Sequence, residues 1–245
     1  MSDVLDFLHV AWWWLRGFWE ESEPLPPALV GIVLGVIAVL LLVPPVWRIA
    51  RNGVTIVHEM AHVIVARLMG RRIHGIRLHT DTSGLAISSG KPRGFGILLT
   101  SIAGYPGPGI AGTAMLWAAA EGYGGASMTL LAALLAVAFL LARNVWGVLT
   151  TAAALAGTAW VLWQSDPLIV SATALGVGMF LTAGSLRTSI DLLLAHVRGD
   201  AAESDAVSAA RNSLIPAFVW CVVFCAAAGV MTVHALVRGW EMLAL

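Results

Sequence analysis

Gly53-Val54-Thr55-Ile56-Val57-His58-Glu59-Met60-Ala61-His62-Val63-Ile64-Val65-Ala66-Arg67-Leu68-Met69 is a mostly apolar run of 17 residues that holds two imidazoles and a carboxylate at its middle. The length suits a helix crossing a bilayer core. On a helix, positions i and i+4 stand one turn apart on one face, so His58 and His62 can bind one metal ion with Glu59 beside it. This is the H-E-x-x-H pattern of zinc hydrolases. Two neutral imidazoles and one further ligand leave a fourth position on zinc for water, and Glu59, itself no ligand, is suited to take a proton as general base. Ionisable groups at membrane depth are costly and are usually kept there for function. The run therefore predicts a membrane fold and a zinc centre (one Zn2+ per chain) together.

The rest of the chain agrees with the membrane reading. Hydrophobic residues make up 59% of 245 and charged residues 11%, with a mean hydropathy of +0.85. Those values lie far from a soluble domain and predict an all-α polytopic membrane protein. No basic patch suited to nucleic acid is present. Met1-Ser2-Asp3-Val4-Leu5-Asp6 lacks the positive start of a cleavable signal, so the first spanning helix is expected to stay attached. Cys221 and Cys225, one turn apart on an apolar helix, read as packing residues rather than a disulfide.

Spanning runs are expected at about 26–47, 53–69, 95–120, 126–142, 145–163, 168–184 and 213–236, which makes seven, or six if a short one fails. Residues 1–25 read as an interfacial amphipathic segment, with Trp12, Trp13, Trp14 and Trp19 beside Asp6, His9, Arg16 and Glu20. Residues 26–245 read as a single transmembrane domain with its core at about 50–225. With a cytoplasmic N-terminus, seven spans put 11 of the Lys and Arg residues inside and only Arg48, Arg51 and Arg238 outside. The C-terminus is then outside the cell membrane. At about 1.5 Å per residue, His62 and His58 lie roughly 10 and 16 Å from the cytoplasmic end of their helix, so the metal is expected nearer the cytoplasm.

Between the second and third runs, Gly75-Ile76-Arg77-Leu78-His79, Thr80-Asp81-Thr82-Ser83-Gly84 and Leu85-Ala86-Ile87-Ser88 read as a small cytoplasmic β-hairpin. Its free edge can take up an extended stretch of another polypeptide by strand addition. Further on, Gly104, Tyr105, Pro106 and Gly107 must kink or unwind the helix that holds them. Irregular backbone at membrane depth survives where it lines a site, so these four are expected at the cleft.

A third zinc ligand must come from elsewhere. Asp166 and His234 fall toward the outer face. Asp191, His196, Asp200, Glu203, Asp205, His74, His79, Asp81 and Cys221 remain. Asp205 has the best surroundings, because the Ala-rich stretch 201–210 allows close approach to the histidine helix. Asn212, seven residues beyond Asp205 on the same helical face, is a candidate outer partner.

Taken together, His58-Glu59-Met60-Ala61-His62, the hairpin after it, the Gly104-Tyr105-Pro106-Gly107 break and Ser204-Asp205-Ala206 followed by Pro216 and Trp220 resemble the site-2 protease clan of intramembrane zinc metallopeptidases. The resemblance is to its compact bacterial branch. It implies a zinc endopeptidase, often a participant in regulated intramembrane proteolysis, that cleaves transmembrane or membrane-proximal segments of other membrane proteins. It also implies His58, His62 and Asp205 as ligands and Glu59 as catalytic base. The Asn-Pro-Asp-Gly-like motif that carries the third ligand in better-studied members has no counterpart here, which leaves Asp191 as the first substitute for Asp205.

Three other readings compete with an enzyme of this kind. A membrane scaffold or chaperone of the same fold would have no use for Glu59, since structural zinc sites take four protein ligands. A metal or small-solute transporter would be expected to show paired halves, and no internal symmetry is visible. A protease resembling the prenyl-protein-processing enzymes would take a glutamate as third ligand, for which Glu203 is available.

Overall fold

The computed structural model describes residue 17 and residues 19–164 and 166–244. The expected interfacial segment falls largely outside them. The described chain is mostly helical, with one small two-stranded sheet.

Helices α1 (Pro27–Leu42) and α2 (Pro44–Leu68) meet at a bend of 100°. The cause is local. Pro44 and Pro45 occupy the first turn of α2, where a missing N–H costs nothing, while a proline after Val43 pushes that residue out of helical geometry. Val43 is accordingly extended, and α1 stops after 16 residues. The run expected at 53–69 therefore begins nine residues earlier, and α2 is 25 residues long.

The run expected at 95–120 divides into α3 (Phe95–Ala103) and α4 (Pro106–Ala120) at Gly104-Tyr105. Helices α5 (Gly124–Leu141) and α6 (Val145–Trp163) follow closely on the expected boundaries. The run expected to stop at residue 184 continues to Arg198, so α7 (Pro167–Arg198) has 32 residues. Asp166 caps its start by accepting from the amides of Leu168 and Ile169, and Gly199 ends it in the left-handed conformation. The last helices are the short α8 (Asp205–Arg211) and α9 (Ala217–Ala244). Length and apolarity single out α5, α6, α7 and α9 as able to cross a membrane, and a fifth span if α1 and α2 count as one bent unit. That is fewer than the seven runs read from the sequence, because α1 is short and the α3–α4 run is broken.

Helix α7 is the central post. It packs against α4, α9, α1 and α5, and α4 comes closest where Gly112 and Gly178 face each other. Helix α2 is wedged between two apolar clusters. Trp47, Val54 and Val57 join the main core with Phe180 and Leu181 of α7. Ile56, Met60 and Val63 pack against Ile76 and Leu78 of the hairpin and Leu135 and Ala138 of α5. Those two contacts fix the rotation of α2, so its remaining face, with His58, Glu59 and His62, turns toward α3 and the hairpin.

The hairpin pairs β1 (Arg72–Leu78) antiparallel with β2 (Gly84–Ser89), where two strands were expected. Asp81 shapes the turn by accepting from the amide and hydroxyl of Ser83, and these bonds hold its carboxyl below the ordinary carboxylate range. The outer edge of β1 is closed by the α5–α6 connection. The Arg143 amide donates to the Ile76 carbonyl, and the Asn144 side chain both donates to the Leu78 carbonyl at 2.6 Å and accepts from the Leu78 amide at 3.2 Å. Ile76 and Leu78 stand opposite Ala86 and Gly84. Opposite residues of an antiparallel pair turn their polar groups alike, both inward or both outward. Ala86 and Gly84 therefore turn theirs to the other side of the sheet, toward α2. Among the described residues no backbone bond from another element meets that edge.

Candidate metal centre

His58, His62 and Asp205 come together from α2 and the first residue of α8. The two Nε2 atoms lie 3.1 Å apart, and Asp205 Oδ2 lies 3.0 Å from His62 Nε2 and 3.2 Å from His58 Nε2. The tautomer of His62 is fixed from behind. Its Nδ1 faces the Thr100 carbonyl at 2.7 Å, and since a carbonyl only accepts, Nδ1 carries the proton. In the neutral ring Nε2 then presents a lone pair. Lone pairs aimed at a carboxylate oxygen repel one another unless a cation lies between them.

The spacing fits zinc. Bonds of about 2.0–2.1 Å at a tetrahedral centre put neighbouring ligand atoms about 3.3 Å apart, close to the three separations seen here. Glu59 sits beside the group, 4% exposed, on the wall shared with the hairpin. The Ala86 amide of the open β2 edge points at its carboxylate.

Two glycines make this assembly possible by lacking a side chain. A Cβ on Gly104 would collide with Nε2 of both histidines, and one on Gly84 would collide with the Glu59 carboxylate. Gly104 itself has ordinary right-handed helical angles, so its role is clearance and not backbone freedom. The α3–α4 break thus presses bare backbone against the two converging nitrogens. Tyr105 continues the wall, its ring 4.8 Å from that of His58 and stacked on Phe224.

Asp205 is delivered by a different contact from the one expected. Its helix α8 is capped by the Ser204 hydroxyl, which accepts from the Val207 amide. Ala206 and Ala209 are fully buried, but α8 packs on α3 and α9 rather than on the histidine helix. A Ser101–Ser208 hydroxyl bond of 2.7 Å ties it to α3. Asp205 then reaches the histidines past Gly104.

Other expected residues stand elsewhere. Asn212 ends α8, accepting from the Gly94 amide and donating to the Ser208 carbonyl, and it does not touch Asp205. Helix α8 stops at Arg211, so the seven-residue spacing no longer describes one helical face. Pro106 and Gly107 do not line the cleft. Pro106 starts α4, and Gly107 lies against Ala61 of α2. Asp191 is half-buried on α7 and outside the ligand group, Cys221 is buried in a separate cluster with Leu192 and Phe224, and His74 and His79 bond to Ser89 and Ser83 in the hairpin. Glu203 lines the cleft without joining the group. Three participants escaped the sequence reading. The Thr100 carbonyl and the clearance at Gly84 depend on tertiary contact, whereas Arg51, which also lines the cleft, was expected outside, in the connection between the first two spanning runs.

The centre opens into a cleft of about 430 Å³ walled by α2, β2, α3, Tyr105 and the Glu203–Asp205 segment. No curated protein and no solved structure matches the chain. The pattern of a known family, however, matches residues 31–235, which takes in the histidine helix, the hairpin, the α3–α4 break and Asp205. By this match, in agreement with the likeness read from its motifs, the chain is a membrane protein that belongs to the Peptidase M50B-like family of site-2 proteases.

Proposed function

We propose that the protein is an intramembrane zinc endopeptidase that hydrolyses peptide bonds in or next to transmembrane segments of other membrane proteins. The observation that carries this reading is the convergence of three lone-pair atoms within 3.2 Å of one another, with a buried carboxylate beside them that is not one of the three. A structural zinc site takes four protein ligands, whereas three with a spare base is the arrangement of a hydrolase. Bound zinc would supply Lewis acidity toward water and the scissile carbonyl.

The chain's own residues do the rest. His58, His62 and Asp205 hold the ion, and the Thr100 carbonyl keeps His62 in the ligating tautomer. Glu59 accepts the proton from the attacking water and returns it to the leaving amine. The open edge of β2 is suited to hold the substrate extended, which matters because a helical segment hides its peptide bonds in its own hydrogen bonds. Gly84 and Ala86 would then present the substrate backbone directly beside Glu59. In this reading the protein sits in the cell membrane with its N-terminus in the cytoplasm, its C-terminus outside and its cleft open toward the cytoplasm, the orientation that the Arg and Lys distribution favours when α1, α2 and the α3–α4 pair each count as one crossing.

The test uses purified full-length protein in lipid vesicles with a membrane-spanning peptide as substrate. The wild type is expected to cut it with one zinc bound, and Glu59→Gln to retain the zinc while losing the cleavage. Undiminished cleavage by Glu59→Gln would overturn the mechanism.

A further inference from the structure

Arg51 stands on α2 seven residues before His58, on the face that lines the cleft. Its surroundings are unusual for a guanidinium in an apolar helix. Nε is buried without a hydrogen-bond partner, and among the described residues no acidic side chain pairs with the group. The neighbouring threonine hydroxyls donate elsewhere, and none of them accepts from the guanidinium. Thr55 donates to the carbonyls of Arg51 and Thr82, Thr82 to that of Asp81, and Thr188 to those of Gly184 and Ser185. The next cation along, Arg187, lies over the Trp47 ring one turn before Arg51. This end of the cleft is therefore positive and unneutralised. An arginine at membrane depth is stabilised by an anionic partner, and among the described residues no side chain supplies one.

We propose that Arg51 forms an anion-accepting subsite of the cleft, taking an acidic side chain of the peptide substrate about three residues from the bond that is cut. The spacing follows from the helix. Seven residues at about 1.5 Å rise place Arg51 about 10 Å from His58, and an extended peptide covers that distance in about three residues at roughly 3.3 Å each. The Tyr105 phenol, within electrostatic reach of Arg51 and beside His58, bridges the two regions of the wall. The proposal rests on the endopeptidase reading for the nature of its ligand, a peptide carboxylate.

The experiment uses membrane-spanning peptides with one scissile site and an amidated end, carrying Glu, Gln or Lys at the third residue on either side. Binding is measured on zinc-loaded Glu59→Gln protein and cleavage on the otherwise wild-type enzyme, each with Arg51, Arg51→Lys or Arg51→Glu. On one side of the site, Glu is expected to exceed Lys by at least about tenfold in binding and cleavage, as a charge-assisted contact commands. Arg51→Lys should keep the sign of that preference and Arg51→Glu should reverse it. Each value is a ratio of two peptides on the same protein, so the folded fraction cancels. A ratio unmoved by Arg51→Glu would overturn the proposal. A ratio that reverses in binding while no peptide is cut by the Glu59 enzyme would uphold the subsite and overturn the catalytic reading. A Gln peptide ending at that position with a free carboxylate is the last arm. If it alone gains, the acidic side chain is the wrong ligand.

Discussion

Gly104→Ala tests the metal centre through the clearance that it needs. The backbone at Gly104 is right-handed helical, with φ −61° and ψ −59°, so alanine fits the conformation without strain. By intrinsic propensity alone it should favour the helix by about 1 kcal/mol. The added methyl, however, would stand 2.6 Å from His58 Nε2 and nearer still to His62 Nε2, where ordinary contact needs about 3.5 Å. It would occupy the space in front of both ligating nitrogens. Loss of outer contacts at a metal site already costs roughly 10- to 100-fold in affinity. Direct obstruction of two of three ligands should exceed that, a loss of more than about 2.7 kcal/mol. Zinc content by mass spectrometry, zinc affinity by chelator competition and thermal unfolding in chelator form the assay. The expected result is a metal-free protein that in chelator loses no more stability than the roughly 1–3 kcal/mol of an overpacked methyl. Full zinc occupancy with unchanged affinity would refute the reasoning, because it would mean that the nitrogens do not converge beneath that backbone.

Two further outcomes follow from the same geometry. Asp205→Ala should lower zinc affinity by at least the 10- to 100-fold expected of a weaker, outer loss, while Asp191→Ala on α7, outside the ligand group, should leave zinc affinity within about twofold; chelator competition reads both, and the reverse order would move the ligand assignment. Gly84→Ala should keep the zinc and cut peptidase turnover by tenfold or more, since its methyl displaces the Glu59 carboxylate by a fraction of a van der Waals contact, and unchanged turnover would remove Glu59 from its assigned position.

What could be read in advance divides along a physical line. The i, i+4 imidazoles and the neighbouring carboxylate were legible because helix periodicity alone places them. The hairpin was legible because its turn is written in Asp81, Ser83 and Gly84. Residue 44 shows the limit of reading by hydropathy. Pro44-Pro45 lay within the apolar run 26–47, and its apolar character masked a 100° bend. Farther along, the run beginning at residue 168 was expected to end at residue 184, yet Leu192, Leu193 and Leu194 carry the helix on to Arg198. Gly104 was visible as a helix breaker, but the need for a bare Cα there arises from two side chains more than 40 residues earlier. Asp205 stood out only by its neighbours, since its reach depends on α8 docking against α3 through Ser101 and Ser208.

The closure of β1 by Arg143 and Asn144 has a bearing on how these molecules coexist. Two-stranded ribbons with both borders exposed can stack copy upon copy into continuous cross-β ribbons. Here one border is stitched to the α5–α6 connection and the other faces inward across the cleft from α2. A crowded membrane can therefore hold many copies without the ribbon of one seeding growth on the next, and replacing Asn144 would remove part of that safeguard.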